Sequence, residues 1–266
     1  MTLKNFSALL IVIFFLPFAA VAQKGKVKEK DSGSKEKDDD KYKKLDNYYV
    51  LERFDKCIDA SMSYTESDKT SKDPEPYLYC SMGFLGVYLN PDKYTLKKYP
   101  DFKDPLRKSL NYYGKFRKRD KTGELHEQND LYENNLKNET FHIMDDFLEK
   151  NDKTKMGGYA REINKAFPDD GVMTLLSGSH LVLSGNAGDG YKLIDTAYKQ
   201  LSSVEDRKFT ETEASYLSKY FVLYTDYLLN QKKKESTEKA KSLIELAAKL
   251  LPEDAAIKEQ YAKISQ

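Results

Sequence analysis

Residues 238–254 read EKAKSLIELAAKLLPED. On a helix, Ala240, Ile244 and Ala247 fall in one narrow stripe, because residues three and four apart share a face. Small side chains at 240 and 247 admit a neighbouring helix at close range, and Ile244 fills the gap between them. Pro252 lacks an N–H and fixes φ, so it ends the helix. Asp254-Ala255-Ala256 then opens another. A helix, a proline stop and an immediate restart predict antiparallel helical hairpins as the building unit.

The same pattern recurs along the chain. From Leu45 onward, helix-period apolar patches alternate with turn signals. LDNYYVLERFDKCIDASMSY (45–64) reads as one helix and PEPYLYCSMGFLGVYL (74–89) as the next, with a polar turn at 66–73. Asp104-Pro105 reads as an N-cap followed by Pro at the first helical position. Thr210 and Glu213 form a capping box. No stretch sustains period-2 alternation between hairpin turns. The expected fold is all-α, with about ten helices.

The spacing of Ala240, Ile244, Ala247 and Pro252 resembles the second helix of a tetratricopeptide repeat (TPR). AFPDDGVMTLLSG (166–178) is similar to the junction between repeats. In DPEPYLYCSMGF (73–84), Tyr79, Met82 and Gly83 resemble the aromatic–large–small triplet of a first helix. Pro74, Pro168 and Pro252 are not separated by multiples of the roughly 34-residue period. The resemblance therefore implies degenerate repeats, hairpins stacked as a TPR-like α-solenoid over residues 45–266. An irregular helical domain is the alternative.

Other segments bear on location. MTLKNFSALLIVIFFLPFAAVAQ (1–23) combines Lys4, an apolar run from Leu9 to Phe18 and a small-residue Ala20-Val21-Ala22 site. This is the pattern of a secretory signal peptide over residues 1–22, and its apolar run is shorter than the roughly 20 residues a spanning helix needs. Residues 23–44 are densely charged and nearly free of apolar groups, the composition of a disordered linker. The chain has 44 basic and 43 acidic residues, and cleavage would remove one of the bases, Lys4. The resulting neutrality argues against nucleic-acid binding and gives no pull toward anionic lipid. The expected location is periplasmic or secreted.

Cys57 and Cys80 are equidistant from the 66–73 turn, so an antiparallel hairpin would bring them side by side. In an oxidising compartment they could form a disulfide; two buried thiols are the other reading.

Several patterns carry little chemistry. DKTGE (120–124) resembles the aspartyl-phosphate signature of cation-pumping ATPases but lacks its final Thr, and reads better as a polar turn. GNAGDG (185–190) is not followed by the Lys-Ser/Thr of a phosphate loop, so Gly185 reads as a helix C-cap and the rest as a turn. His126, His142 and His180 sit in no zinc-binding pattern, and no metal or cofactor is expected. Asp145, Asp146 and Glu149 read as a solvated face. Asn138-Glu139-Thr140 fits a glycosylation acceptor.

The aromatic content is unusual, with 20 Tyr, 13 Phe and no Trp. Tyr79, Tyr88, Tyr112 and Tyr113 lie on predicted helices. Tyr216, Tyr220, Tyr224 and Tyr227 form a stripe on another. Such a stripe is either interhelical packing or the lining of a concave groove for a partner segment. The expected function is a non-enzymatic protein–protein scaffold, resembling exported repeat proteins of the bacterial cell envelope. An accessory part of a secretion or surface-attachment complex is the alternative, and a helical hydrolase-like enzyme is a third class.

Overall fold

A computed structural model describes residues 41–203 and 208–264. The expected signal peptide and nearly all of the expected linker lie outside the described residues. The described chain forms twelve α-helices and one 3-10 turn, with no strand among the described residues. The protein is all-α.

Helix α1 (Lys43–Val50) starts inside the segment expected to be linker, and Tyr42 just before it is already buried. Its hydroxyl donates to Asp73 at 2.5 Å. Helix α2 (Phe54–Glu66) is separate from α1, where one continuous helix was expected. The break is a Schellman turn: Glu52 takes a left-handed φ of 51°, its N–H bonds the Tyr49 carbonyl at 2.9 Å, and Arg53 N–H bonds that of Tyr48 at 2.9 Å. That pair of bonds satisfies carbonyls the helix end would otherwise leave open. The bend lets Leu45 on α1 and Cys57 and Ile58 on α2 all reach the core.

Helix α3 (Glu75–Leu89) is apolar on nearly every side and packs against both α2 and α4 (Pro105–Arg117). Asp104 precedes α4 as expected but does not cap it with its side chain. That carboxylate instead accepts the Tyr159 hydroxyl from α7. After the single-turn α5 (Glu124–Glu127) comes α6 (Asp130–Glu149), which runs unbroken through Asn138. Helix α7 (Lys153–Ala166) returns to pack on α4, so α4 and α7 pair with α5 and α6 inserted between them.

Helix α8 (Gly171–Leu183) opens on Asp170, whose carboxylate accepts the Val172 and Met173 N–H groups. It ends in a second Schellman turn at Gly185 (φ 93°), with Gly185 N–H on Val182 and Asn186 N–H on Leu181. Helix α9 (Ala187–Ser202) then begins at once, so Gly188 and Gly190 are helical rather than part of a turn. Helices α8 and α9 touch backbone to backbone: a Cβ on Gly190 would lie 2.7 Å from the Gly178 carbonyl oxygen. Helix α10 (Glu211–Asn230) carries the Thr210–Glu213 capping box, with both reciprocal bonds formed. Helix α11 (Lys234–Leu250) packs on α10 and on α12 (Ala255–Ile264). Ala240, Ile244 and Ala247 are all fully buried, and Pro252 follows the last turn of α11.

Helix α6 crosses this series rather than joining it. Tyr132 bonds Ser81 of α3 at 2.5 Å and Ser109 of α4 at 3.1 Å. Glu133 accepts the Tyr113 hydroxyl of α4. Lys137 pairs with Asp170 at the start of α8, at 2.8 Å. Phe141 stacks on Tyr216 of α10 at 4.1 Å, and Asp145 pairs with Lys219 at 2.7 Å. One face of α6 thus reaches four other helices.

Candidate functional site

An open groove lies along α4. Its floor is aromatic. Phe84 of α3 stacks on Tyr112 of α4 at 5.7 Å, and Phe102 meets Phe84 edge-on at 6.0 Å. Tyr99 and Phe102 stack nearly parallel at 5.1 Å. The last two come from the 90–104 loop, which Tyr94 anchors by donating to the Glu52 carbonyl and accepting the Phe54 N–H. Proline at 100 sets a 3-10 turn, Pro100–Phe102, that swings Phe102 inward.

Lysines cover these rings. Lys108 Nζ sits 5.3 Å from the Phe84 ring centre, Lys115 4.5 Å from Tyr112 and Lys98 5.1 Å from Tyr99. Each pairs a cation with the negative face of a ring while leaving the ammonium wet. Asp55, Asp59 and Asp101 lie on the same rim. The groove they bound holds about 670 Å³, within the range of small-molecule and peptide sites. Burial pushes the Tyr112 hydroxyl up to about 12, helped by nearby Cys80 and Glu66, so it stays a neutral phenol that can donate a hydrogen bond.

Two further hollows continue along the same helix. One of about 480 Å³ shares Lys108, Asn111 and Tyr112 and extends to Arg107 and Glu162, where Asn111 donates to Glu162 at 3.0 Å. The other, about 340 Å³, lies past the C-terminal end of α4 and is lined by Ser71, Lys72, Lys118, Arg119 and Lys121. Positions 104, 107, 108, 111, 112, 115, 118 and 119 recur at helical spacing, so the three hollows follow one another along one face, a track in which only the first two share lining residues. At 1.5 Å per residue it is roughly 22 Å long.

Two polar clusters lie inside the molecule instead. His180 of α8 is fully buried, with Nε2 2.7 Å from the Tyr220 hydroxyl, which donates to Asp145 at 3.1 Å. Burial pushes the imidazole down to about 3, outweighing the Asp145 charge, so it is neutral; with Tyr220 donating to Asp145, Nε2 carries its proton. In the second cluster, Glu133 meets Lys137 at 2.6 Å and His126 at 3.0 Å. Lys137 and the Tyr113 hydroxyl hold the Glu133 carboxyl below the usual range despite its burial. Both clusters seat α6 on its neighbours.

The tyrosine stripe belongs with this interior. Tyr220 and Tyr224 are fully buried, and Tyr216 and Tyr227 are half-buried. Phe141 of α6 covers Tyr216, while Tyr227 meets the Tyr191 hydroxyl of α9. Tyr216 and Tyr220 thus pack against α6 and Tyr227 against α9, as interhelical packing, the first of the two alternatives for the stripe, requires. Asp145 is likewise an interhelical partner rather than part of a solvated face.

Cys57 and Cys80 lie on the paired helices α2 and α3, as their spacing requires, yet both are free and buried. Cys57 Sγ points at the carbonyls of Leu45 and Tyr79, at 3.8 and 3.7 Å. Burial pushes the Cys57 thiol up to about 12 and raises Cys80 as well. In DKTGE, Asp120 accepts the His126 N–H at 2.7 Å and belongs to a turn. Thr140 of the glycosylation motif is fully buried mid-helix and bonds the Leu136 carbonyl. No group of three or more His, Cys, Asp or Glu among the described residues is placed to hold a metal ion.

Of the track residues, sequence reasoning singled out only Tyr112. The available signal was YTLKKYPDFKDP (94–105), a loop with three aromatic and three basic residues. Comparison with known protein families, with curated proteins and with solved structures finds no match.

Proposed function

We propose that this protein is a non-enzymatic interaction scaffold that holds an extended segment of a partner protein along α4. The observation that carries the reading is the succession of three hollows along one helix face, with ring faces in the middle and charged groups at each end. At about 3.3 Å per residue, a track of roughly 22 Å accommodates about seven residues of extended chain. Ring faces, ammonium groups and carboxylates supply contact area and orientation for such a segment.

In this reading the helices are stacked hairpins of a degenerate TPR-like array. The successive pairings of α8 with α9 and α10 with α11, and of α8 with α10 and α10 with α12, support it. The leader-like N-terminus supports a location in the cell envelope, periplasmic or secreted, with the partner there.

The test is affinity capture from envelope extract on immobilised residues 23–266, wild type against Asn111→Trp. Asn111 is only half-buried and lines two of the three hollows, so a Trp there blocks the track without removing a core ring. A partner retained by the wild type and lost by a variant with unchanged melting temperature supports the reading. A partner held equally by both sinks it.

A further inference from the structure

We infer that the hollow beyond the C-terminal end of α4 is an acidic-peptide site, receiving a run of Asp or Glu side chains from a partner segment. The assignment rests on the reading of α4 as a docking track and says which end of that track takes the acidic part of the segment. Lys72 comes from the α2–α3 loop, Lys118 and Arg119 from the end of α4, and Lys121 from the following turn. Two separate stretches of chain bring four cations together, and no carboxylate lines the hollow.

The nearby acids are engaged elsewhere. Asp73 takes Lys41 at 2.6 Å and Tyr42 at 2.5 Å, and Asp120 takes the His126 N–H. Among the described residues, Lys72, Lys118 and Lys121 have no ion pair, whereas Lys137, Lys165, Lys219 and Lys239 each have one. Arg119 is held in place. Its Nε donates to the Ser71 carbonyl and Nη1 to that of Lys115, each at 3.0 Å, and its guanidinium carbon stands 3.8 Å over the Tyr77 ring. A fixed guanidinium flanked by mobile ammoniums suits carboxylates.

Cations at a helix C-terminus also complement the helix dipole. That accounts for Lys118 but not for Lys72 or Lys121, which lie on other segments. A membrane surface fits less well, because the site is a recess and the chain as a whole is close to neutral. Arg119 of the recess donates to the carbonyl of Lys115, whose side chain lines the aromatic groove, so the two hollows are neighbours along the chain.

The test is fluorescence anisotropy of fluorescein-labelled hexa-aspartate with the full chain, at about 20 and about 200 mM salt. The wild type is expected to bind, more weakly at high salt. The double variant Lys118→Glu/Lys121→Glu is expected to lose about tenfold or more in affinity. Lys118→Gln/Lys121→Gln should fall between, with melting temperatures unchanged because both side chains are exposed. Absence of hexa-aspartate binding, or equal binding by the double-Glu variant, overturns the inference. Lysine-dependent binding of phosphatidylglycerol vesicles without hexa-aspartate binding overturns it in favour of a membrane. If Asn111→Trp leaves partner capture intact while hexa-aspartate still depends on Lys118 and Lys121, the track fails and the anionic site stands.

Discussion

Replacing Gly190 by Ala tests how closely α8 and α9 are joined. An added Cβ would lie 2.6 Å from Val182 Cγ2, 2.7 Å from the Gly178 oxygen and 2.8 Å from the Val182 nitrogen. Two of these are backbone atoms and cannot rotate away. Restoring ordinary contact requires the helices to part by roughly 0.7 Å. Overpacking of this kind costs about 1–3 kcal/mol, and a backbone obstacle puts it at the upper end. Alanine recovers up to about 1 kcal/mol through its helix propensity. The net expectation is a loss of about 2 kcal/mol, or about 4–8 °C in melting temperature. Gly188 on the same helix is the control: its Cβ would meet nothing within 4 Å. Gly188→Ala should therefore gain up to about 1 kcal/mol. Circular dichroism melts and urea titrations of both variants give the comparison. If Gly190→Ala melts at or above the wild type, the backbone contact between α8 and α9 is not what the structure describes.

The other expectations concern the interior. His180 is neutral in the fold with its pKa pushed down to about 3, so between that value and the ordinary 6.5 the unfolded chain binds the extra proton and stability falls as pH falls. From pH 7 to 5 this one group should remove about 2 kcal/mol, and His180→Gln should flatten the pH dependence of the urea midpoint. Lys137→Met removes the ammonium that the buried Glu133 shares with Asp170 and should cost about 3 kcal/mol, part of it recovered in Lys137→Met/Glu133→Gln; an unchanged melt for the single variant would refute the pairing. Cys57 and Cys80 should resist a thiol reagent in the native protein and react when it is denatured without reductant, and recovery of fewer than two thiols then would establish a disulfide. Tyr216→Ser/Tyr220→Ser should lose about 3–5 kcal/mol; a folded variant with an unchanged melt would return the stripe to the surface.

Helices whose ends carry local signals were legible in the sequence. The Thr210–Glu213 box, Pro105 at the start of α4 and Pro252 after α11 each act within a few residues, and each element ends where they indicate. The α1–α2 break was not legible, because the left-handed residue there is Glu52 rather than glycine and its bonds are the backbone's own. GNAGDG misled for the opposite reason. Its glycines suggested a turn, but Gly190 serves a helix crossing whose other half, Gly178, lies a turn and a helix away. The tyrosine stripe had the right period, yet which side of α10 would be covered depended on α6, which comes from far earlier in the chain. The α4 track is assembled from α2, α3, α4, α7 and two loops. No local pattern could join these residues before the helices paired.

The path of α6 has a consequence for how the protein comes apart. In a row of hairpins that touch only their neighbours, an end can melt while the rest persists, and unfolding spreads step by step. Here α6 ties α3, α4, α8 and α10 to one another through Tyr132, Lys137, Phe141 and Asp145. Peeling off the C-terminal hairpin would strip the cover from Phe141 and leave Asp145 without Lys219 and Tyr220. The crossing helix turns a chain of nearest-neighbour couplings into a closed circuit. Hydrogen exchange should register it as one shared protection level across α3, α4, α6, α8 and α10, with fraying confined to α1 and α12.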